Sequence, residues 1–130
     1  MFCDLHTHST FSDGTFSPTE IVLKAKEIGL DAVALCDHNT VAGLDEFVSA
    51  GKKYGVTTVA GIEFSTEYNS KQLHIVGLFI KKENYSDITE IMAESQKLKE
   101  ESNKLLVKNL AKDGYLSLIH ISEPTRRSYI

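Results

Sequence analysis

The chain has 130 residues, of which 42% are hydrophobic and 25% are charged, so its composition is that of one globular domain without a membrane span. Its 18 acidic and 14 basic residues give a formal net charge of −4, which argues against a protein held on duplex nucleic acid by a basic surface. The two cysteines, Cys3 and Cys36, lack CxxC spacing, and residues 1–9 lack the basic start and apolar stretch typical of a signal peptide, so we expect a reducing, cytoplasmic setting.

The first predicted element is a strand over residues 2–8. Its side chains alternate between two faces, and the period of two aims His6 and His8 to the same side. Asp4 shares that face, so we expect its carboxylate to support any site formed there.

The second predicted element is a helix with clear start and stop signals. Ser17 is expected to cap its N-terminus, Pro18 to take the first helical position, and Glu20 to complete a capping box. Gly29 ends the helix. Its apolar stripe is formed by Ile21, Val22, Ala25 and Ile28.

Strands and helices then alternate along the chain. The apolar run at 31–36 is typical of a buried parallel strand, and a helix is predicted over 41–54, where Gly55 follows it. Residues 56–62 form the next strand. This alternation predicts an α/β fold.

A hairpin is predicted over residues 62–80, with its turn at Asn69 and Ser70. A two-residue loop sets Ser65 opposite His74 and places Glu63 opposite Val76. Glu63 and His74 then become diagonal neighbours on one face, close enough to share a metal ion.

A last helix is predicted over 86–113, and its charged middle indicates a solvated or projecting helix. Beyond it, the peptide LSLIHISEPTR (116–126) resembles the translation of a sequencing adapter, so we expect 116–130 to be a non-native tail and His120 to bind nothing. A genuine short strand is the alternative. The expected division is therefore 1–80 with the candidate site, 81–115 as a helical segment, and 116–130 as the tail.

The remaining histidines and several carboxylates stand at or beside the ends of predicted strands. In parallel α/β folds these ends, and the loops after them, are where sites form. Nitrogen and oxygen donors together suit zinc, manganese or iron, and several such cations close together support hydrolysis of phosphate esters. The candidate metal ligands are His6, His8, Asp13, His38, Glu63 and His74.

Other readings of these residues stay open at this point. Asp13 lies on the turn SDGT, where an aspartate also serves as a turn residue. Asp37 is a candidate for a second layer, accepting a hydrogen bond that orients an imidazole. Catalysis by a Ser/His/Asp set is a rival hypothesis, but the nearby serines, Ser9, Ser12 and Ser65, do not lie in a GxSxG motif.

Four segments resemble, in order, the N-terminal motifs of the PHP (polymerase and histidinol phosphatase) family: DLHTHSTFSDGT (4–15), LCDHNTVAG (35–43), GIEFST (61–66) and LHIVGL (73–78). The resemblance implies the N-terminal portion of a distorted (β/α)7 barrel, followed by the start of a helical insertion. It also implies up to three divalent metal ions at the carboxyl ends of the strands. By position, it assigns one metal to His6 and His8, a second to His74 with Glu63 bridging the two, and a third to Asp13 and His38.

The resemblance is closest to phosphoesterases that act on nucleotides and short oligonucleotides, so a phosphate ester of this kind is the expected substrate. A non-catalytic metal-binding module attached to a polymerase is one alternative, and a histidinol-phosphate phosphatase is another. The family pattern also has a later histidine and a late Asp-x-His pair that are missing from these 130 residues. We therefore expect the chain to be a truncated fragment with little or no activity of its own.

Overall fold

The secondary-structure elements follow one another in the order that the sequence predicts. A computed structural model of the chain describes residues 1–114; the predicted tail at 116–130, including His120, lies outside the described residues. The α/β class is confirmed. The elements are β1 (Cys3–Thr7), α1 (Pro18–Glu27), β2 (Ala32–Leu35), α2 (Leu44–Tyr54), β3 (Thr57–Tyr68), β4 (Lys71–Leu78), a short 3₁₀ helix (Lys82–Asn84) and α3 (Tyr85–Lys112).

The strands form a four-stranded sheet in the order β1-β2-β3-β4. The first three strands are parallel, whereas β4 returns antiparallel to β3. Helices α1 and α2 are the crossovers between consecutive parallel strands, and they pack against each other. The carboxyl ends of β1, β2 and β3 therefore meet at one edge of the sheet.

Helix α1 begins as its sequence predicts. The Ser17 side chain accepts a hydrogen bond from the backbone N–H of Glu20, and the Glu20 carboxylate accepts one from the backbone N–H of Ser17. Gly29 follows with a φ of +76°, in the left-handed region that glycine adopts readily. The prediction for Ile28 is wrong: it lies beyond the last helical turn and is 71% exposed.

The main hydrophobic core lies between α1, α2 and the parallel strands. Phe47, Leu35 and Ile62 are fully buried there. A smaller cluster of Ala34, Cys36 and Val59 is joined by the half-buried Leu78 of β4. Helix α2 begins at Leu44, three residues later than predicted, although Val41 is itself buried in the main core.

Strand β1 is irregular, which corrects the simple alternation expected over 2–8. Asp4 pairs with Val33 and Thr7 with Leu35, so three steps on β1 match two on β2. Val33 and Leu35 both belong to the main core. Asp4 lines a groove together with Thr7 and His8, and the support of the site expected from its carboxylate stays a prediction.

The hairpin is confirmed, with β3 continuing as one strand from Thr57 to Tyr68 instead of ending at residue 62. Ser65 pairs with His74 and Glu63 with Val76, as the loop length predicts. The turn residues Asn69 and Ser70 both have positive φ, 50° and 59°, as a type I′ turn requires.

The described residues divide into two compact units, Met1–Thr89 and 90–114. This division does not test the boundary predicted at residue 80, which stays a prediction. Along α3, Ile91, Leu98 and Leu105 are exposed, and the helix has no buried residue within the described range. Among residues 1–114, no helix is both long and apolar enough to cross a membrane.

Candidate metal centre

The carboxylate of Glu63 lies at the centre of a cluster of imidazoles. Its Oε2 atom is 2.7 Å from Nε2 of His6, 3.1 Å from Nε2 of His8 and 3.8 Å from Nε2 of His38. Its Oε1 atom is 2.8 Å from Nδ1 of His74. Glu63 is only 6% exposed, so a buried carboxylate faces four ring nitrogens.

Asp13 approaches the same cluster from the loop after β1. Its Oδ1 atom is 3.5 Å from Nδ1 of His8, and its Oδ2 atom is 3.3 Å from Nε2 of His38. The rings of His8 and His38 are stacked with their centroids 4.6 Å apart. Asp13 is therefore held opposite two stacked imidazoles.

All six residues singled out as candidate ligands are brought together, in three overlapping groups whose donor atoms lie within 4.8 Å of one another. Ligand atoms about 2.1 Å from a tetrahedral cation are themselves roughly 3.4 Å apart, so these separations suit a shared ion. The three groups are His6–His8–Glu63, His8–Asp13–His38 and His38–Glu63–His74.

Backbone pairing between the end of β2 and β3 positions two of these side chains. The Glu63 N–H donates to the carbonyl of Asp37, and the Asn39 N–H donates to the carbonyl of Glu63. His38 and Glu63 thereby form a parallel bridge beyond the regular strand β2. The imidazole and the carboxylate are thus held side by side.

Asn39 is a supporting residue that the sequence reasoning missed. Its φ is +54°, and its Oδ1 atom accepts a hydrogen bond of 2.9 Å from the Ser65 N–H. Asparagine tolerates the left-handed region better than most residues, so an asparagine directly after a ligand-bearing strand end was the available signal. Asn39 fastens the loop after β2 to β3 close to Glu63.

Burial and ion pairing set the charge of the centre. Burial alone would raise the pKa of Glu63, but hydrogen bonds from His6 and His74 and the nearby His38 outweigh it and lower the pKa. The pKa of His8 is lowered, mainly by burial. A charged carboxylate and a neutral imidazole are the protonation states that metal ligands require.

Two buried ring nitrogens test whether a cation fits. Nδ1 of His8 and Nδ1 of His38 have no hydrogen-bond partner among the described residues. Buried polar atoms are normally paired, so Nδ1 of His8, which lies 3.5 Å from Oδ1 of Asp13 and makes no hydrogen bond of its own, has room for another partner. A divalent cation meets this requirement, and the donor set fits one.

The two expected supporting residues, Asp37 and Asp4, both accept hydrogen bonds beside the cluster. The Asp37 carboxylate accepts hydrogen bonds from Ser9 and Ser12 instead of an imidazole. Asp4 accepts from the backbone N–H of His6. Because the hydroxyl of buried Ser9 donates to Asp37, its geometry does not suit a nucleophile activated by histidine.

Comparison with known proteins agrees with this picture. The sequence profile of the PHP domain matches residues 4–126. A 5′-3′ exoribonuclease of Haemophilus influenzae is 40% identical over 111 residues, which cover 85% of this chain and 40% of that protein. A 3′,5′-nucleoside bisphosphate phosphatase of Chromobacterium violaceum is 39% identical over 77 residues, which cover 59% of this chain and 27% of that protein.

Two further matches extend the comparison. An error-prone DNA polymerase of Nocardia farcinica is 42% identical over 66 residues, which cover 49% of this chain and 6% of the polymerase. A solved structure from Bifidobacterium adolescentis, named as a metal-dependent phosphoesterase, superposes with a TM-score of 0.70 at 28% identity and covers 97% of this chain and 45% of that one. The chain thus spans less than half the length of each of these relatives.

Proposed function

The chain belongs to the PHP domain family, and from that premise we propose that the whole protein is a metal-dependent phosphoesterase acting on nucleotides or short oligonucleotides. The observation that carries the proposal is the arrangement around Glu63. Two of the three overlapping donor groups contain this buried residue, and the third group shares His8 with one of them and His38 with the other. Such sharing is what a cluster of two or three divalent ions requires.

The donor set defines what the residues would do. The imidazoles of His6 and His8 with Glu63 would hold one ion, His74 with Glu63 a second, and Asp13 with His38 a third. Mixed nitrogen and oxygen donors suit manganese, zinc or iron. Ions bound there would supply activation of a water and neutralisation of charge on phosphoryl oxygens.

Exposure indicates where substrate would enter. The side chains of His6 and His74 are 46% and 47% exposed, whereas Glu63 beneath them is buried. The open side of the cluster therefore lies over these two imidazoles, and a phosphate group would approach there. Glu63 stays shielded from water and keeps its two oxygens directed at separate histidines.

The relatives support the substrate class. The names of the Haemophilus and Chromobacterium proteins denote action on RNA ends and on a nucleoside bisphosphate, respectively. Both substrates present a phosphate ester on a ribose. We propose the same class here, in a cytoplasmic setting that fits the two free cysteines, exposed Cys3 and buried Cys36.

A second candidate is a PHP module within a polymerase that binds metal without catalysis. The match to an error-prone DNA polymerase favours it, although that match covers only half of this chain. The complete set of six candidate ligands favours the enzyme. Sequencing the gene downstream separates the two, because a polymerase domain would support the module.

The decisive experiment measures the products that the full-length gene product releases: inorganic phosphate from nucleotides and mononucleotides from oligonucleotides. A panel of nucleoside mono- and bisphosphates and short oligonucleotides is assayed with and without Mn²⁺. We expect metal-dependent release that the double variant His6→Ala, His8→Ala abolishes. Thr89→Ala is the control, since its hydroxyl bonds only the Tyr85 carbonyl within its own helix. Release that is equal with and without metal, or equal in the double variant, would refute the proposal.

The 130 residues alone are expected to turn over little or no substrate. Residues 1–80 would provide the six ligands, and residues 81–115 would begin a helical insertion, but the resemblance implies further ligands from later parts of the family pattern. Assaying this chain beside the full-length protein with Mn²⁺ checks the expectation. Comparable rates would contradict it.

A further inference from the structure

A buried carboxylate holds the loop that presents Asp13. Asp37 is 2% exposed, and its Oδ1 atom accepts hydrogen bonds from the Ser9 N–H at 2.6 Å and the Ser12 hydroxyl at 2.7 Å. Its Oδ2 atom accepts from the Ser9 hydroxyl at 2.6 Å. Three donors from loop 9–14 thus converge on one side chain at the end of β2.

The loop is also folded tightly on itself. The Ser12 and Gly14 N–H groups both donate to the Ser9 carbonyl, and the Phe11 N–H donates to the Ser9 hydroxyl. Gly14 lies so close to the backbone of His8 that an added Cβ atom would overlap the His8 carbonyl oxygen. Loop 9–14 therefore has one compact shape, fixed at both ends.

Asp13 lies between these two anchors. The Ser12 hydroxyl that donates to Asp37 is also 3.4 Å from Oδ1 of Asp13, so it stands between the two carboxylates. Asp13 itself is 41% exposed, and its place opposite His8 and His38 follows from the loop that carries it. Burial of its own side chain contributes little.

We propose that Asp37 is a positioning residue: acting through Ser9 and Ser12, it holds loop 9–14 so that Asp13 completes the cation group with His8 and His38. The inference rests on the proposed metal binding of the Proposed function and adds the residue that builds one of its three groups. Asp37 belongs to none of the three donor groups. Its effect is local, because the two groups that contain Glu63 include no residue of loop 9–14.

The test counts bound ions. Free Mn²⁺ is measured by electron paramagnetic resonance as the full-length protein is titrated with the metal alone. In Ser12→Ala we expect the affinity for one Mn²⁺ ion to fall about tenfold, which is the size typical for loss of a residue that orients a ligand. The affinities for the other ions should change by less than about twofold. Thr89→Ala also loses a single hydroxyl hydrogen bond and should leave every ion unchanged.

Further variants separate positioning from general damage. Ser12→Thr keeps the hydroxyl and should restore binding, and Asp37→Asn should weaken the same ion as Ser12→Ala. The double variant Ser12→Ala, Asp13→Asn should bind no more weakly than Asp13→Asn, because the serine acts through the aspartate.

Three results would overturn the inference. The first is that Ser12→Ala binds every Mn²⁺ ion with unchanged affinity, and the second is that it loses affinity equally for all of them. The third is that the effects of Ser12→Ala and Asp13→Asn add in the double variant. Absence of any Mn²⁺ binding by the unsubstituted protein would instead refute the proposed function.

Discussion

At the scale of single residues, the candidate centre is held in place by residues that are not themselves candidate ligands. Asn39 fastens the loop after β2 to β3, and Asp37 fastens loop 9–14. Gly14 permits that loop to lie against the His8 carbonyl. Each of these residues fixes backbone, and the backbone then fixes a candidate ligand.

Replacing Gly14 by alanine should therefore destabilise the fold. The new methyl group would overlap the His8 carbonyl, so we expect the free energy of unfolding to fall by about 1–3 kcal/mol, the usual cost of overpacking. Urea denaturation measures it. The control is Gly77→Ala, whose Cβ atom would make ordinary contacts at 3.5 Å or more. Equal stability of the two variants would contradict the assigned role of Gly14.

The sequence was informative about candidate ligands and uninformative about their supports. His6 and His8 could be recognised as a pair from their spacing, and both imidazoles do approach Glu63, although β1 ends at Thr7. The partners of Asp37 are 25 and 28 residues away, and no local pattern connects them. The irregular pairing of β1 between Asp4 and Thr7 likewise leaves no mark in the sequence.

At the scale of elements, local chemistry fixes where a helix or hairpin begins and ends. The capping box of Ser17 and Glu20 and the left-handed Gly55 after α2 were readable as short-range signals. The hairpin register was readable because two turn residues leave one pairing possible. The start of α2 could not be predicted in the same way, because Val41 packs into the core as a helical residue would, although the helix begins only at Leu44.

The capping box gives a pH dependence with a defined sign. Hydrogen bonding to the Ser17 backbone and side chain lowers the pKa of Glu20 below its ordinary 4.5. Because the folded-state pKa is the lower one, the stabilisation is complete above the ordinary value and is lost as pH falls through the folded-state value. The stability gap between the unsubstituted protein and Glu20→Gln should therefore shrink on acidification.

Urea denaturation at a series of pH values between about 7 and 3 measures this gap. Glu27→Gln, at the opposite end of α1, is the matched control for removing one exposed acid from the same helix. A gap for Glu20→Gln that stays constant or grows on acidification would contradict the assignment.

At the scale of the whole molecule, the candidate ligands come from separate parts of the chain. β1, the loop after it, the end of β2, β3 and β4 each contribute at least one. An unfolded chain keeps these side chains apart, so a cation that needs several of them binds the folded state alone. Metal binding is then coupled to folding.

Mn²⁺ should accordingly stabilise the protein. At a free concentration one hundred times its Kd, a single ion adds about 2.7 kcal/mol to the free energy of unfolding. Thermal unfolding with and without Mn²⁺ measures the shift, which a chelator should reverse. Mg²⁺, which prefers oxygen donors, should shift the midpoint less at the same concentration. An identical midpoint with and without Mn²⁺ would contradict a folded-state metal site.

The turn at Asn69 and Ser70 lies roughly 20 Å along β3 from Glu63, yet it decides which way His74 points. An inserted codon at this tip would slip β4 by one position and swing the imidazole to the opposite surface, with every ligand still encoded. Replacing either tip residue by glycine would keep the backbone angles and the alignment. The position of His74 therefore depends more on the number of residues in this turn than on their identity, although the turn itself lies far from the candidate ligands.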